Sequence, residues 1–199
     1  LNRAYRTDRP LESRISGLGY ARFSSQRGNS QSGKEQTTTD QMARDRAERL
    51  LLDAVAEHPN SAALHGLGQV YLAKREFDKA IDLFSKALQE EPNNAVYHAD
   101  LGAALLEKLK NEDAASPKRD RPELENQALD HLNRAIVLDP QLPEALFNRA
   151  LLYQTLSLYQ QAREAWEQYL SKDSTSQWAE EARTNLEELR KKAERSAVA

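Results

Sequence analysis

The sequence predicts an all-α fold: a solenoid of antiparallel helix pairs, preceded by an extended, non-helical N-terminal arm. Three observations predict it. Within residues 61–94, Leu64, Leu67 and Tyr71 fall on one helical face and Ala80, Phe84 and Ala87 on another, with a break around Arg75 and Glu76 and with Pro92 closing the unit. The same pattern returns along the chain at fixed offsets, the mark of stacked helical repeats. Residues 1–37, by contrast, have no helical period.

The elements follow in chain order. In the arm, residues 14–24 are extended in character, with Ile15, Leu18, Tyr20 and Phe23 as apolar anchors. Residues 40–57 predict a helix in which Ala47, Leu51, Ala54 and Pro59 precede Ala80, Phe84, Ala87 and Pro92 by 33 each. It reads as the second helix of a repeat whose first is absent, with Thr38 and Gln41 as a capping box at its start. Residues 61–94 form the first full pair. In residues 95–142, Leu67, Gly68 and Tyr71 return as Leu101, Gly102 and Leu105 at +34, whereas Ala80, Phe84, Ala87 and Pro92 return as Ala128, Leu132, Ala135 and Pro140 at +48. Fourteen extra residues therefore separate the two helices, and the charged stretch at about 110–121, which holds Pro117, accommodates them. In residues 143–175 the offsets reverse: Gly102 and Leu105 go to Ala150 and Tyr153 by 48, and Ala128, Leu132 and Ala135 to Ala162, Trp166 and Tyr169 by 34. Tyr169 replaces a small residue, so it is expected to open the packing or to reach toward the next helix. Trp178, Ala182, Leu186, Leu189 and Ala193 form one stripe of a capping helix over 176–195. Pro59, Pro92 and Pro140 stand just past helix ends, and Pro122 and Pro143 in first turns. The expectation is eight helices.

The 61–94 unit resembles the tetratricopeptide repeat (TPR), whose signature positions Leu64, Leu67, Gly68, Tyr71, Ala80, Phe84, Ala87 and Pro92 fill. The resemblance covers residues 40–195 and implies a TPR-type α-solenoid over 38–199. It also implies a function: a non-catalytic protein–protein interaction scaffold that binds a peptide or protein segment. In TPR solenoids the first helix of each pair lines a concave groove. The residues one turn off the packing stripe would line it here: His65, Gln69 and Leu72, then Val96, Asp100, Ala103 and Leu106, then Phe147, Asn148, Leu151 and Gln154. This set mixes apolar and neutral polar groups with a single acid. TPR proteins that clamp the C-terminal carboxylate of chaperones place Lys, Asn and Arg there, and Asn148 alone matches in kind. A segment with apolar anchors, and an Arg to face Asp100, is the expected ligand. Two readings stay open: the groove is free for a partner, or part of it is covered by the chain's own residues.

The arm is the candidate for covering it. Residues 1–34 carry seven Arg or Lys against Asp8 and Glu12, a net +5, while the chain as a whole is −3 and the remainder therefore −8. A basic arm beside an acidic body is expected to lie on it, through Ile15, Tyr20 and Phe23, within one molecule or on a neighbour. The second arrangement would give self-association.

Composition excludes much else. There is no cysteine, hence no disulfide, no thiolate metal site and no cysteine nucleophile. No apolar run approaches the ~20 residues of a membrane span. No secretory leader is visible, and the cytoplasm is the expected compartment. Because the chain starts at Leu1 rather than Met, it is expected to be a piece of a longer polypeptide. His58, His65, His98 and His131 show no i,i+3 or i,i+4 pair, so packing or surface roles are expected and no metal. Gly66-Leu67-Gly68 and Gly17-Leu18-Gly19 do not continue as phosphate loops. No catalytic set, cofactor site or nucleic-acid partner is predicted, since an acidic body repels phosphates.

Two further stretches resemble segments of large bacterial proteins that join TPRs to a CHAT domain, a caspase-like peptidase fold. One is Arg9-Pro10-Leu11-Glu12-Ser13-Arg14-Ile15-Ser16-Gly17, followed by Tyr20 and Arg27-Gly28. The other is Trp166, Tyr169-Leu170, Asp173 and Ser176-Gln177-Trp178-Ala179-Glu180-Glu181-Ala182. This resemblance implies a sensing or regulatory module of a peptidase elsewhere in the polypeptide. Such a peptidase uses a His/Cys pair, so with no cysteine no catalytic residue carries over. A cell-envelope assembly scaffold is the third reading.

Overall fold

A computed structural model describes residues 8–23, 34–111 and 121–198. Its helices are α1 (Lys34–Glu57), α2 (Ser61–Ala73), α3 (Phe77–Glu90), α4 (Ala95–Asn111), α5 (Arg121–Leu138), α6 (Pro143–Thr155), α7 (Tyr159–Lys172) and α8 (Gln177–Val198). The hairpins α2–α3, α4–α5 and α6–α7 are the three pairs. Each second helix packs on the next first one, α1 backs α2, α7 carries α8, and α4 also touches α6. First helices thus line one face of the stack and second helices the other. This is a TPR-type α-solenoid.

One small-to-large contact closes each pair. A Cβ on Gly68 would lie 2.6 Å from the Phe84 ring, and one on Gly102 would lie 2.6 Å from Leu132 Cγ. At the matching positions of the third pair stand Ala150 and Trp166, and Phe84, Leu132 and Trp166 are all fully buried. The hairpin turns repeat too. Arg75 and Ser157, equivalent positions of the first and third pairs, both adopt left-handed φ, 64° and 59°. Starts are capped by Asn60, which accepts from the Ala63 N–H at 2.9 Å, and by Asn94, which accepts from Val96 and Tyr97 at 3.1 and 3.2 Å. The third pair has Leu142 there instead, buried among Ala99, Ala135 and Ala145, and Pro143 opens the helix with no N–H to satisfy.

Two expectations change. Helix α1 begins at Lys34, so residues 34–37 are not arm, and Thr38 and Gln41 stand inside the helix rather than capping it. The reason is that the first turns of α1 are polar all round, and a helix with no apolar stripe leaves no period to read. The inserted stretch falls mostly on residues 112–120, outside the described residues; α4 runs to Asn111 and α5 resumes at Arg121.

The arm returns over the solenoid. Two short strands, β1 (Asp8–Arg9) and β2 (Arg22–Phe23), pair in parallel, so residues 10–21 form a closed loop between them. Gly17, with φ 68°, makes the turn in that loop, and the Leu18 N–H donates to the Ile15 carbonyl at 3.3 Å. Leu11 and Ile15 are buried in the main hydrophobic cluster with Leu72, Leu106, Phe147 and Leu151.

Candidate functional site

A segment outside helices and strands carries N–H and C=O groups that must find partners if it leaves water. Along residues 13–16 the groove supplies them from side chains. Asn148 brackets Arg14: its Oδ1 accepts from the Arg14 N–H at 2.8 Å and its Nδ2 donates to the Arg14 carbonyl at 2.7 Å. Asp100 accepts from the Ser16 N–H at 3.0 Å and the Ser16 hydroxyl at 2.5 Å. Gln69 donates to the Ser16 carbonyl at 2.9 Å. Glu107 accepts from both the N–H and the hydroxyl of Ser13, at 2.8 and 2.7 Å. Further along, Arg75 donates to the Pro10 carbonyl at 3.0 Å. Asp100 and Asn148 occupy the same position in successive repeats, 48 residues apart. The matched positions of α4 and α6 thus each present a side chain that bonds the arm's backbone, while α2, with Gly66 at that position, contributes Gln69 one turn on.

Two arginines fix the loop's flanks. The Arg14 guanidinium reaches the Tyr169 hydroxyl at 2.8 Å, Asp173 at 3.4 Å and Glu144 at 3.3 Å, and lies 5.3 Å from the centre of the Trp178 ring. Tyr169 donates in turn to Asp173 at 2.6 Å. Burial would raise the Asp173 carboxyl, but hydrogen bonds from Ser176 and Tyr169 and the Arg14 charge outweigh it and hold the pKa down to about 2. Burial, and then its bond to Asp173, push the Tyr169 phenol up. Arg9 pairs with both oxygens of Glu181, sits 4.3 Å above Trp178, and donates to the carbonyls of Leu11, Ala21 and Glu12. Glu12 itself turns to Lys110.

The residues expected to line the groove divide into three sets. His65, Gln69, Asp100 and Asn148 meet the arm or support the groups that do; His65 Nε2 lies 2.9 Å from Asp100 while its ring stacks on Tyr97. Leu72, Ala103, Leu106 and Leu151 are buried, the leucines in the cluster that takes Leu11 and Ile15. The remaining three serve packing. Phe147 stands edge-on to Trp166, Tyr169 and Trp178, Gln154 accepts from the Trp166 indole at 3.1 Å, and Val96 is half-buried between the clusters.

Three sequence expectations are corrected. Among the described residues the arm meets not one acid but five, since Glu107, Glu144, Asp173 and Glu181 join Asp100. Glu107 was legible: it lies two turns beyond Asp100 on one helix face. The others come from helix ends and the capping helix, outside the set drawn from first helices. Asp100 is met by Ser16, not by an arginine, because Arg14 points toward α6 and α7. Among the arm anchors, Ile15 is buried and Tyr20 packs edge-on to Trp178 at 5.1 Å, but Phe23 is 36% exposed; Leu11, fully buried, takes the place expected of it. His98 and His131, which share no helical spacing, meet across α4 and α5, Nδ1 to Nδ1 at 2.9 Å. Burial lowers the pKa of both. Among the described residues, no group of three or more His, Cys, Asp or Glu is arranged to hold a metal, and no helix is long and apolar enough to cross a membrane.

Comparison with known proteins agrees with the architecture. The tetratricopeptide repeat family matches residues 61–94 and, in a second form, 144–176. The chain is 30% identical to the peroxisomal targeting signal receptor of Candida albicans across 60% of its own length but only 19% of the receptor's. Among solved structures, a thermophilic TPR protein of Thermus thermophilus superposes with a TM-score of 0.64 at 22% identity, covering 76% of this chain and 75% of that one. The first TPR of Spaghetti (RPAP3), bound to the HSP90 peptide SRMEEVD, superposes with a TM-score of 0.55 at 19% identity, covering 67% and 93%. The curated relatives are fungal and human, which overturns the bacterial source that the CHAT resemblance implied, and that resemblance gains no support.

Proposed function

From a solenoid that carries tetratricopeptide repeats and holds a non-helical segment of its own arm in its groove, we infer a non-catalytic interaction scaffold that binds an extended peptide or protein segment. The observation that carries this reading is the Asn148 side chain, which pairs with both backbone groups of Arg14. An amide so placed recognises main chain in an extended conformation, whatever side chain is attached. Asp100 repeats the acceptor half of that contact one repeat earlier. Arm side chains then select sequence: Leu11 and Ile15 go inward to apolar residues, while Ser13 and Ser16 reach carboxylates.

The ligand chemistry differs from that of the neighbour bound to SRMEEVD. That peptide ends in three acids among its last four residues. Here Asp100, Glu107, Glu144 and Asp173 face the strand, and like charges across a groove reject such an end. The test is panning of a random peptide display library on the full chain carrying Ile15→Asp, which removes the arm's inner anchor. Peptides whose binding is lost on adding Asn148→Ala are expected to be enriched. A library yielding none that depend on Asn148, with both proteins helical by circular dichroism, refutes the reading.

A further inference from the structure

Resting on that reading, we propose that residues 9–16 are a built-in competitor, and that the groove's separate partner is an extended basic segment. It would carry an arginine at the place of Arg14, flanked by hydroxyl residues, with an aliphatic residue next in sequence. The structure supplies the template. From Glu12 to Ser16 the arm runs acid, hydroxyl, arginine, aliphatic, hydroxyl, and each has its own receiving group. Lys110 takes Glu12, Glu107 takes Ser13, the Glu144–Tyr169–Asp173 pocket takes Arg14, the cluster of Leu72, Leu106 and Leu151 takes Ile15, and Asp100 takes Ser16.

Charge identifies the arginine as the selective element. With the arm withdrawn, Glu107, Glu144, Asp173 and Glu181 would each lose their arm partner, Asp173 keeping only the neutral donors Tyr169 and Ser176. Asp100 would keep His65 and Gln69. Four carboxylates released together on one concave face favour a cation, and the rigid fork of a guanidinium suits the pocket better than an ammonium. It can span Glu144 on one helix and Asp173 beyond the end of the next while lying over Trp178. Because the arm is tethered, it fills the groove at high effective concentration, so a partner binds only in proportion to the fraction of chains with the arm out. The protein is therefore held closed until a segment of matching chemistry, or an event that weakens the arm, opens it.

The experiment uses the full chain and a fluorescent synthetic peptide of residues 8–23, followed by anisotropy. Wild-type protein is expected to bind it weakly. The Ile15→Asp protein, or Ile15→Ala if the first is not folded by circular dichroism, is expected to bind it roughly tenfold or more tightly. A peptide carrying Arg14→Ala is expected to bind that same protein roughly tenfold or more weakly, and the native peptide's affinity should fall as salt is raised. Equal binding of the native and Arg14→Ala peptides, or of the wild-type and opened proteins, overturns the proposal. So does an absence of binding. A wild-type dimer that becomes monomeric with Ile15→Asp also overturns it, because the groove is then filled by a second copy. If panning enriches Asn148-dependent peptides without arginine, this inference fails while the scaffold function stands. If panning enriches none, both fail.

Discussion

Phe84 has no exposed surface, and its ring occupies the space a side chain on Gly68 would need. Truncation there removes a ring packed against Gly68, the His65 ring and the apolar cluster, and leaves a cavity. Phe84→Ala is expected to cost about 3–5 kcal/mol, read as a fall in the urea midpoint at unchanged slope; a loss under about 1 kcal/mol would contradict this packing. The pair was legible because repeat offsets bring Gly68 and Gly102 into register, and Phe84 and Leu132 likewise. Tyr169 shows the limit of that method. Registration marked it as too large for its position. It could not show that the hydroxyl would reach the arm, because Arg14 is 155 residues away.

At the scale of the element, Asn94 illustrates how local chemistry sets boundaries. Its side chain satisfies two of the N–H groups that open α4, and Asn60 does the equivalent for α2. Asn94→Ala is expected to cost about 1 kcal/mol, within the range of about 0.5–2 kcal/mol for such caps. Asn94→Gly should recover most of it. A chemical denaturation series of the three proteins checks this, and equal losses for Ala and Gly would show that Asn94 acts through something other than capping. Helix ends marked by proline or by a capping side chain could be read in advance. The start of α1 could not, because a polar helix turn resembles a polar arm in sequence. The helix there is continuous with residues 42–57.

At the scale of the molecule, the arm and the solenoid complete one another. Ordering each arm residue costs about 1–2 kcal/mol of backbone entropy. Burial of Leu11 and Ile15 and the pairing of the N–H groups of Ser13, Arg14 and Ser16 offset that cost. Those three amides are therefore expected to exchange with deuterium far more slowly than in a free peptide. They should open as one unit, before the helices do. In the Ile15→Asp protein their protection should vanish while amides of α6 stay protected. Exchange of all three in the wild type at the free-peptide rate would show that the arm is not held.

The repeat, its register, the small-to-large contact inside each pair and the inner position of Asp100 and Asn148 were readable from the residues alone. All of these follow from a period that every first or second helix shares. The sequence also pointed to a basic arm lying on an acidic body, since charge balance is a sum over residues and needs no coordinates. Only the tertiary structure decided where the arm lies, that its backbone is what the groove reads, and which acids hold its arginines. Glu144, Asp173 and Glu181 come from α6, the end of α7, and α8, and Arg9 and Arg14 from a segment before the first helix. No period relates these residues. They become neighbours only when the helix pairs stack and the capping helix packs on α7, and a site assembled across elements leaves no signature within any one of them.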